Sequence, residues 1–313
     1  MQIYPPIKAE VNLMKRLIVG SRGSRLAMVQ TNLIIDKLDS DVQINKISTK
    51  GDKLTDIALS KIEGKGFFTK ELDQALLVGE IDFAVHSLKD LPTELPEGLT
   101  IAAIPKRESA NDALVGNYNN LNSIPKKAKI GTSSLRRKAE ILNFRPDLNV
   151  AELRGNIDTR LKKLNEKQYD AIIVAEAGLI RLGYSNYSSL PPNEFIPAVC
   201  QGALGITVRR DDKKVLKIIS KLEDIPSKIA CEAERTFLSS LEAGCQVPAG
   251  AYSYLDFDND MYEILGFISS IDGKQFIKEK LNSKIQDSIS IASILAKNLL
   301  SMGGNEILEN IRK

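Results

Sequence analysis

Histidine is nearly absent from this chain of 313 residues, where His86 is the only one. That excludes zinc sites built from several histidines. It also leaves His86 as the sole base for any Ser–His or Cys–His nucleophile. Acid–base work therefore falls to carboxylates or lysines. Cysteine is scarce as well. Cys200, Cys231 and Cys245 are odd in number and share no repeating spacing, which fits a reducing compartment better than a disulfide framework. No apolar run approaches the ~18 residues of a membrane span. The start carries no basic stretch leading into an apolar core, so no export signal is read. Lys plus Arg (43) almost balance Asp plus Glu (40), for a net charge of +3. Such a balance gives no sign of a nucleic-acid binder. Low-complexity tracts and long repeats are missing too. We expect a cytoplasmic protein without nucleic-acid or membrane partners, with residues 1–14 as a flexible extension.

What is present is an alternation of short apolar runs with helical patterns, in a chain long enough for two or three domains. Leu17-Ile18-Val19, Val42 to Thr49, Asp82 to Val85 and Leu99 to Ile104 read as strands, with helices opening at Ser24 and Thr69 between them. The pattern restarts near Asp112, with strands at Lys129-Ile130-Gly131, Asn149 to Leu153 and Asp170 to Ala175. A strand at Ala203 to Val208 and a helix at Asp211 to Leu222 follow. Beyond Pro226 come a helix ending at Gly244, strands at Ala249 to Leu255 and Tyr262 to Ile268, an Asp272-Gly273 turn into Phe276 to Leu281, and a helix from Asp287 to Met302 stopped by Gly303-Gly304. Strand–helix alternation predicts sheets covered on both faces. The last region predicts a small α+β unit.

Chemistry concentrates at the strand-to-helix turns. Gly131-Thr132-Ser133-Ser134-Leu135-Arg136-Arg137 places three hydroxyls and two arginines at a helix N-terminus. Free N–H groups there attract anions, and the guanidinium fork suits carboxylate or phosphate. The plainer reading has Ser134 as a cap and the arginines solvated. Ser21-Arg22-Gly23-Ser24-Arg25 repeats the pattern, as does Leu153-Arg154-Gly155-Asn156 with Arg160 one turn later; Arg181 follows another strand. Open α/β sheets bind ligands at such strand ends, so these turns together predict a polyanion. Strand Ala84-Val85-His86-Ser87 runs into Lys89-Asp90, then Pro92. A carboxylate beside a lysine among arginines can stabilise a cation formed on a substrate; as a plain surface turn it needs no function. Glu63-Gly64-Lys65-Gly66-Phe67-Phe68 lacks the phosphate-loop spacing and reads as a glycine-rich lid carrying Lys65 and Phe68. Pro197 to Ala203 reads as a return crossing, with Gln201 near the cleft. Cys245, between Gly244 and Pro248 on a loop, is an odd place for a core thiol; reactivity more often explains such a residue.

Taken together, Ala84 to Thr93, Gly131 to Arg137, Leu153 to Asn156, Pro197 to Ala203 and Gly244 to Pro248 resemble, in order, the motifs of the porphobilinogen deaminase (hydroxymethylbilane synthase) family. The resemblance runs from about Arg16 to Arg312. It implies two doubly wound α/β domains like type II periplasmic binding proteins plus a small α+β C-terminal domain. The divisions would be 15–106 with 201–222, 107–200, and 226–313. It implies a dipyrromethane cofactor held through a thioether on Cys245, and a transferase acting on porphobilinogen. Ammonia leaves the substrate, four pyrroles are joined head to tail on the primer, and water releases linear hydroxymethylbilane for tetrapyrrole biosynthesis. By resemblance, Asp90 is the catalytic acid/base. Arg22, Ser24, Ser87, Lys89, Thr132, Ser133, Ser134, Arg136, Arg137, Arg154, Gly155, Asn156, Arg160, Arg181 and Gln201 face cofactor or substrate, with Lys65 and Phe68 on the lid. No metal is implied. A monomer, with hand-over to a tetrapyrrole-cyclising enzyme, is expected. Arg107 to Asp112 departs from the family's usual Arg-x-Asp-Pro-Arg-Asp at the interdomain link, and Cys200 stands where a small residue is common. The competing reading is a non-catalytic two-domain anion-binding protein.

Overall fold

The computed structural model describes residues 16–49, 69–241 and 247–312. Lys65, Phe68 and Cys245 lie outside the described residues. The first unit contains β1 (Leu17–Ser21), α1 (Arg25–Ile35), β2 (Val42–Lys46), α2 (Lys70–Leu77), β3 (Phe83–Ser87), a 3-10 turn at Leu88–Asp90, and β4 (Leu99–Ala103). The second contains β5 (Asp112–Gly116), β6 (Lys129–Gly131), α3 (Leu135–Phe144), β7 (Asn149–Ala151), α4 (Ile157–Asn165), β8 (Ala171–Ala175), α5 (Glu176–Leu182) and β9 (Ser188–Leu190). The chain then returns through β10 (Leu204–Arg209) and α6 (Lys213–Ile219). The last part is α7 (Ile225–Ser240), β11 (Ala249–Asp256), β12 (Met261–Ser269), β13 (Phe276–Ser283), α8 (Ser288–Leu299) and α9 (Asn305–Arg312).

Two sheets share one plan. The first has the order β2-β1-β3-β10-β4 and the second β7-β6-β8-β5-β9. In each, three parallel strands meet a strand that entered from the other half of the chain and runs antiparallel: β10 beside β3, and β5 beside β8. Both are doubly wound, as the family resemblance implied, and covered on both faces, as the alternation predicted. Their central strands are apolar throughout: Phe83, Ala84, Val85, Ile206 and Val208 in the first, Leu114, Ile172, Ile173 and Val174 in the second are buried. Strands covered on both faces need such runs. The third sheet is an antiparallel meander, β11-β12-β13, with α7 and α8 against it around Phe237, Tyr262, Ile264 and Leu295.

The two crossings between the sheets are knotted together by hydrogen bonds. Glu108 N–H donates to Gly202 O (3.3 Å). Gly202 has φ +88°, and a Cβ there would lie 2.4 Å from the carbonyl oxygens of Glu108 and Ser109. Only glycine fits both demands. Arg107, at the link where the sequence departs from the family, makes a forked pair with Glu234 of α7 (2.7 and 3.1 Å) and donates through Nε to Gln201 O (2.8 Å). The link is thus anchored without the missing Pro and Arg. Cys200 is buried, with φ +60°, which accounts for a small residue being usual there. Its Sγ lies 3.5 Å from Cys231 O, and both thiols are free.

Several element boundaries differ from expectation. Helix α5 and strand β9 carry no clear signal, because α5 follows β8 directly with no side-chain cap. The second strand stops at Lys46, short of Thr49. Gly303 (φ +113°) ends a wide turn at Leu300–Gly304, and the chain then forms α9 where only a stop was expected.

Candidate active site

Helix starts place the hydroxyls that the sequence singled out. Ser24 accepts from Ala27 N–H (3.3 Å), Ser134 from Arg137 N–H (3.4 Å) and Asn156 from Thr159 N–H (2.9 Å). Each is an N-cap, so part of the plainer reading holds. Thr132 Oγ1 accepts from Ser134 N–H (3.2 Å), and Ser133 Oγ donates to Leu153 O. Gly155 takes φ +107° between Arg154 and the Asn156 cap. These residues shape two adjacent turns at the ends of β6 and β7.

Arg136 and Arg137 are neither solvated nor open. Both are buried, and Asp112 at the start of β5 is their hub. Asp112 Oδ1 accepts from Arg137 Nε (3.0 Å), Arg137 Nη2 (2.7 Å) and Gln201 Nε2 (2.9 Å), while Oδ2 accepts from Arg136 Nη2 (2.7 Å). Arg136 also pairs with Glu140 (2.7 Å) and donates to Ile196 O (2.6 Å). Burial alone would raise the Asp112 carboxyl, but Arg136 and Arg137 overcome it and hold it at about 2. Arg136 Nε is buried with no hydrogen-bond partner among the described residues.

Gln201 is fully buried and joins the two halves. Its amide N–H groups donate to Ala110 O (2.9 Å), Asn111 O (3.1 Å) and Asp112, and its carbonyl accepts from Lys89 Nζ (3.2 Å) and Arg137 Nη2 (3.4 Å). Gln201 is therefore a junction rather than an open substrate contact. Lys89 is pushed down to about 8, first by burial and then by Arg137, with Asp90 and Asp112 opposing and Arg136 adding to the fall. Arg160 falls to about 10 through burial and its neighbour Arg137, against the pull of Asp90, with Arg154 lowering it further. Asp90, Lys89, Arg137, Arg154 and Arg160 thus form one charge cluster at facing strand ends, and cations outnumber carboxylates in it.

The other wall belongs to the first sheet. A cavity of about 90 Å³ is lined by Arg22, Ser24, Gln30, His86, Ser87 and Asp90, among others. Ser87 Oγ accepts from Gln30 Nε2 (3.0 Å). His86 is buried against Thr207 Oγ1 (2.9 Å), and burial, then Arg22, push it down to about 4. The ring is thus held neutral, with Nε2 engaged by Thr207. Arg181 sits apart, donating to Gly202 O (2.6 Å) with Glu108 nearby; it belongs to the crossing. Asp112, Glu140 and Glu234 went unmarked in the sequence reading. Only a carboxylate opening a strand, Asp112 before Ala113-Leu114-Val115, could have hinted at the first.

A crowd of cations that depress one another fits a ligand bearing several carboxylates. Each arriving carboxylate would relieve the repulsion. No grouping of metal-binding side chains occurs among the described residues, and none of their helices is long and apolar enough to cross a membrane.

Comparison with known proteins agrees with this chemistry. Residues 17–217 match the family model described as "Porphobilinogen deaminase, dipyromethane cofactor binding domain", and residues 228–301 match "Porphobilinogen deaminase, C-terminal domain". The porphobilinogen deaminase of Brevibacillus brevis is 45% identical over 301 residues, covering 94% of this chain and 96% of that protein. That of Prochlorococcus marinus (strain MIT 9312) is 47% identical over 307 residues, covering 95% and 96%. Among solved structures, an ancestral cationic amino acid solute binding protein aligns with a TM-score of 0.42 at 12% identity, covering 66% of this chain and 87% of that one. On the family models and the near-full-length relatives, the chain belongs to the porphobilinogen deaminase family.

Proposed function

We propose that Asp90 is the acid/base of this chain's hydroxymethylbilane synthase reaction and that Cys245 anchors its dipyrromethane cofactor. The activity and the cofactor follow from the family; the residue roles are our reading. One observation supports it above the others. Asp90 is exposed on the turn after β3, shares a charge cluster with Lys89, Arg137 and Arg160, and lines the cavity that contains Arg22. It stands between the two walls.

The dipyrromethane, when bound, would supply the nucleophilic pyrrole carbon for the first ring, and each later ring would join the free α-carbon of the ring before it. The chain's own residues do the rest. Each porphobilinogen brings an acetate and a propionate, and Lys89, Arg137, Arg154 and Arg160 offer the positive field that holds them. Arg22 serves the opposite wall, and Arg136 fixes Asp112, which in turn holds Arg137. As ammonia leaves, positive charge develops on the pyrrole, and the Asp90 carboxylate stabilises it. Asp90 then accepts the proton released when the new carbon–carbon bond restores the aromatic ring. Gln201, fully buried, holds Lys89 at the base of the cleft. Thr132, Ser133, Ser134, Gly155 and Asn156 shape the turns that aim the arginines.

We assign 15–106 with 201–222 to the Asp90 wall, 107–200 to the arginine wall, and 226–313 to the unit bearing Cys245. Lys65 and Phe68 serve as the lid, Arg181 supports the crossing, and residues 1–14 extend before the first unit. The unbridged neighbours Cys200 and Cys231 favour a reducing, cytoplasmic setting. A monomer delivering its linear product to a cyclising enzyme completes the reading. The non-catalytic alternative gives Asp90 no task. The test is Asp90→Asn, which keeps size and removes charge. We expect the cofactor adduct to remain while ammonia release from porphobilinogen falls by at least about 10²-fold, the lower range for a positioned acid–base group. Ammonia release at the wild-type rate would remove Asp90 from the chemistry.

A further inference from the structure

Arg235 lies on α7, in the third unit, yet its guanidinium reaches the segment that follows Asp90. Nη2 donates to the carbonyl oxygens of Pro92 (2.6 Å) and Thr93 (2.9 Å), and Nη1 to that of Leu91 (3.5 Å). Three consecutive carbonyls converge on one cation. Successive carbonyls in extended chain point apart, so this convergence defines a curled backbone. A planar fork with several fixed donors can hold such a curl; a lysine ammonium, a point charge on a flexible stem, holds it poorly.

Leucine packing anchors the rest of the segment. Leu88 and Leu91 are buried in the same cluster as Phe237 and Leu241. Gly205 makes room for them, since a Cβ there would lie 2.8 Å from Leu88 Cδ1. Leu88 N–H donates to Ala203 O (3.0 Å). Beyond Thr93, Leu95 packs against the same cluster. A cavity of about 340 Å³ opens there, lined by Thr93, Leu95, Ile101, Ile104 and Arg235, among others. Beside that space Arg235 alone among the described side chains is seen to hold the Pro92 and Thr93 carbonyls.

We propose that Arg235 is a positioning residue for Asp90: by gathering the carbonyls of Leu91, Pro92 and Thr93 it fixes the turn that carries the acid/base and ties it to the unit bearing the cofactor. The inference rests on the reading of Asp90 given above. Its test uses holoenzyme whose cofactor adduct has been verified by mass. Arg235→Met keeps the apolar stem and removes the donors; Arg235→Lys keeps the charge. Misplacing a catalytic group by ~1 Å can cost about 10²-fold. We therefore expect kcat to fall about 10- to 100-fold in Arg235→Met, with KM for porphobilinogen changed less than about threefold, and Arg235→Lys to recover only part of the loss. In an Asp90→Asn background, Arg235→Met should lower kcat no further, because both changes act through one carboxylate. An equal loss in both backgrounds, or an unchanged kcat in Arg235→Met, overturns the inference while leaving Asp90 in place. Full activity of Asp90→Asn alone overturns the reading of Asp90 and the inference with it.

Discussion

Asp112→Asn is the substitution that the network of buried charges makes most costly. Asp112 is fully buried and is the hub for two buried guanidinium groups. Asn keeps the size but not the charge. Its carbonyl can stay at the Oδ1 position, where Arg137 and Gln201 donate. Its NH₂ then faces Arg136 Nη2, 2.7 Å away in the parent, so two donors oppose each other. Arg136 retains Glu140 at 2.7 Å; Arg137 retains only neutral acceptors, Ile173 O (3.2 Å) and Gln201 Oε1 (3.4 Å), besides the new amide. Breaking one partner out of a buried pair costs about 3–5 kcal/mol. For a domain of this size that lowers the thermal midpoint by about 10 °C. The assay is thermal unfolding followed by circular dichroism. The sign of its pH dependence is fixed. The folded carboxyl sits at about 2, below its ordinary 3.8, so its contribution is present above about 4 and lost only as pH falls through about 2. Glu140, raised to about 8 by burial against the pull of Arg136 and with Asp112 adding to the rise, ionises more readily once the Asp112 charge is gone, so the deficit should be largest near pH 5 and shrink as pH rises towards 8. Asp147→Asn is the control, because Arg145 and Asp147 pair at 2.7 Å near the surface and exposed pairs contribute little. Equal small shifts for Asp112→Asn and Asp147→Asn would refute the hub.

Lys89, held at about 8 by burial and Arg137, should take up a proton when carboxylates arrive. Binding of an unreactive dicarboxylate pyrrole at pH 8, measured by calorimetry in buffers of different ionisation enthalpy, should show uptake of about half a proton. Affinity should weaken as pH rises through 8, and Lys89→Met should abolish both effects; uptake that persists in Lys89→Met would assign the proton elsewhere. Gly202→Ala combines φ +88° with a 2.4 Å approach to two carbonyl oxygens and should destabilise strongly. Gly183→Ala, at φ +78° with nothing within 4 Å, should cost only the left-handed strain of about 1–2 kcal/mol. Equal unfolding midpoints for the two variants would show that the crossings are not locked at Gly202.

Local signals were legible and distant ones were not. Ser24, Ser134 and Asn156 cap helices because hydroxyl and amide oxygens satisfy free N–H groups within three residues, a relation visible in sequence. The buried runs of β3, β8 and β10 were equally plain. Their exchange between the sheets came from the family resemblance, since nothing local tells β10 to lie between β3 and β4. Arginine turns were marked, but not the state of their side chains. Arg136 and Arg137 looked solvated or ligand-facing, and the carboxylates that bury them come from positions 112 and 140, one of them 25 residues from Arg137. Glu234 and Arg235 sit in a helical pattern with no local irregularity, and Arg107, which pairs with Glu234, and the carbonyls that Arg235 gathers lie more than 100 residues away. Gln201 was placed near the cleft, but its role as a junction depends on four segments meeting.

The central claim is that this chain holds a dipyrromethane on Cys245, and the mass of the intact purified protein tests it most directly. The account predicts a mass above that of the sequence by one dipyrromethane, the adduct mapping to the peptide that contains Cys245, and the bare sequence mass with no turnover for Cys245→Ser. A wild-type protein that turns over porphobilinogen at full rate with Cys245 unmodified would contradict it.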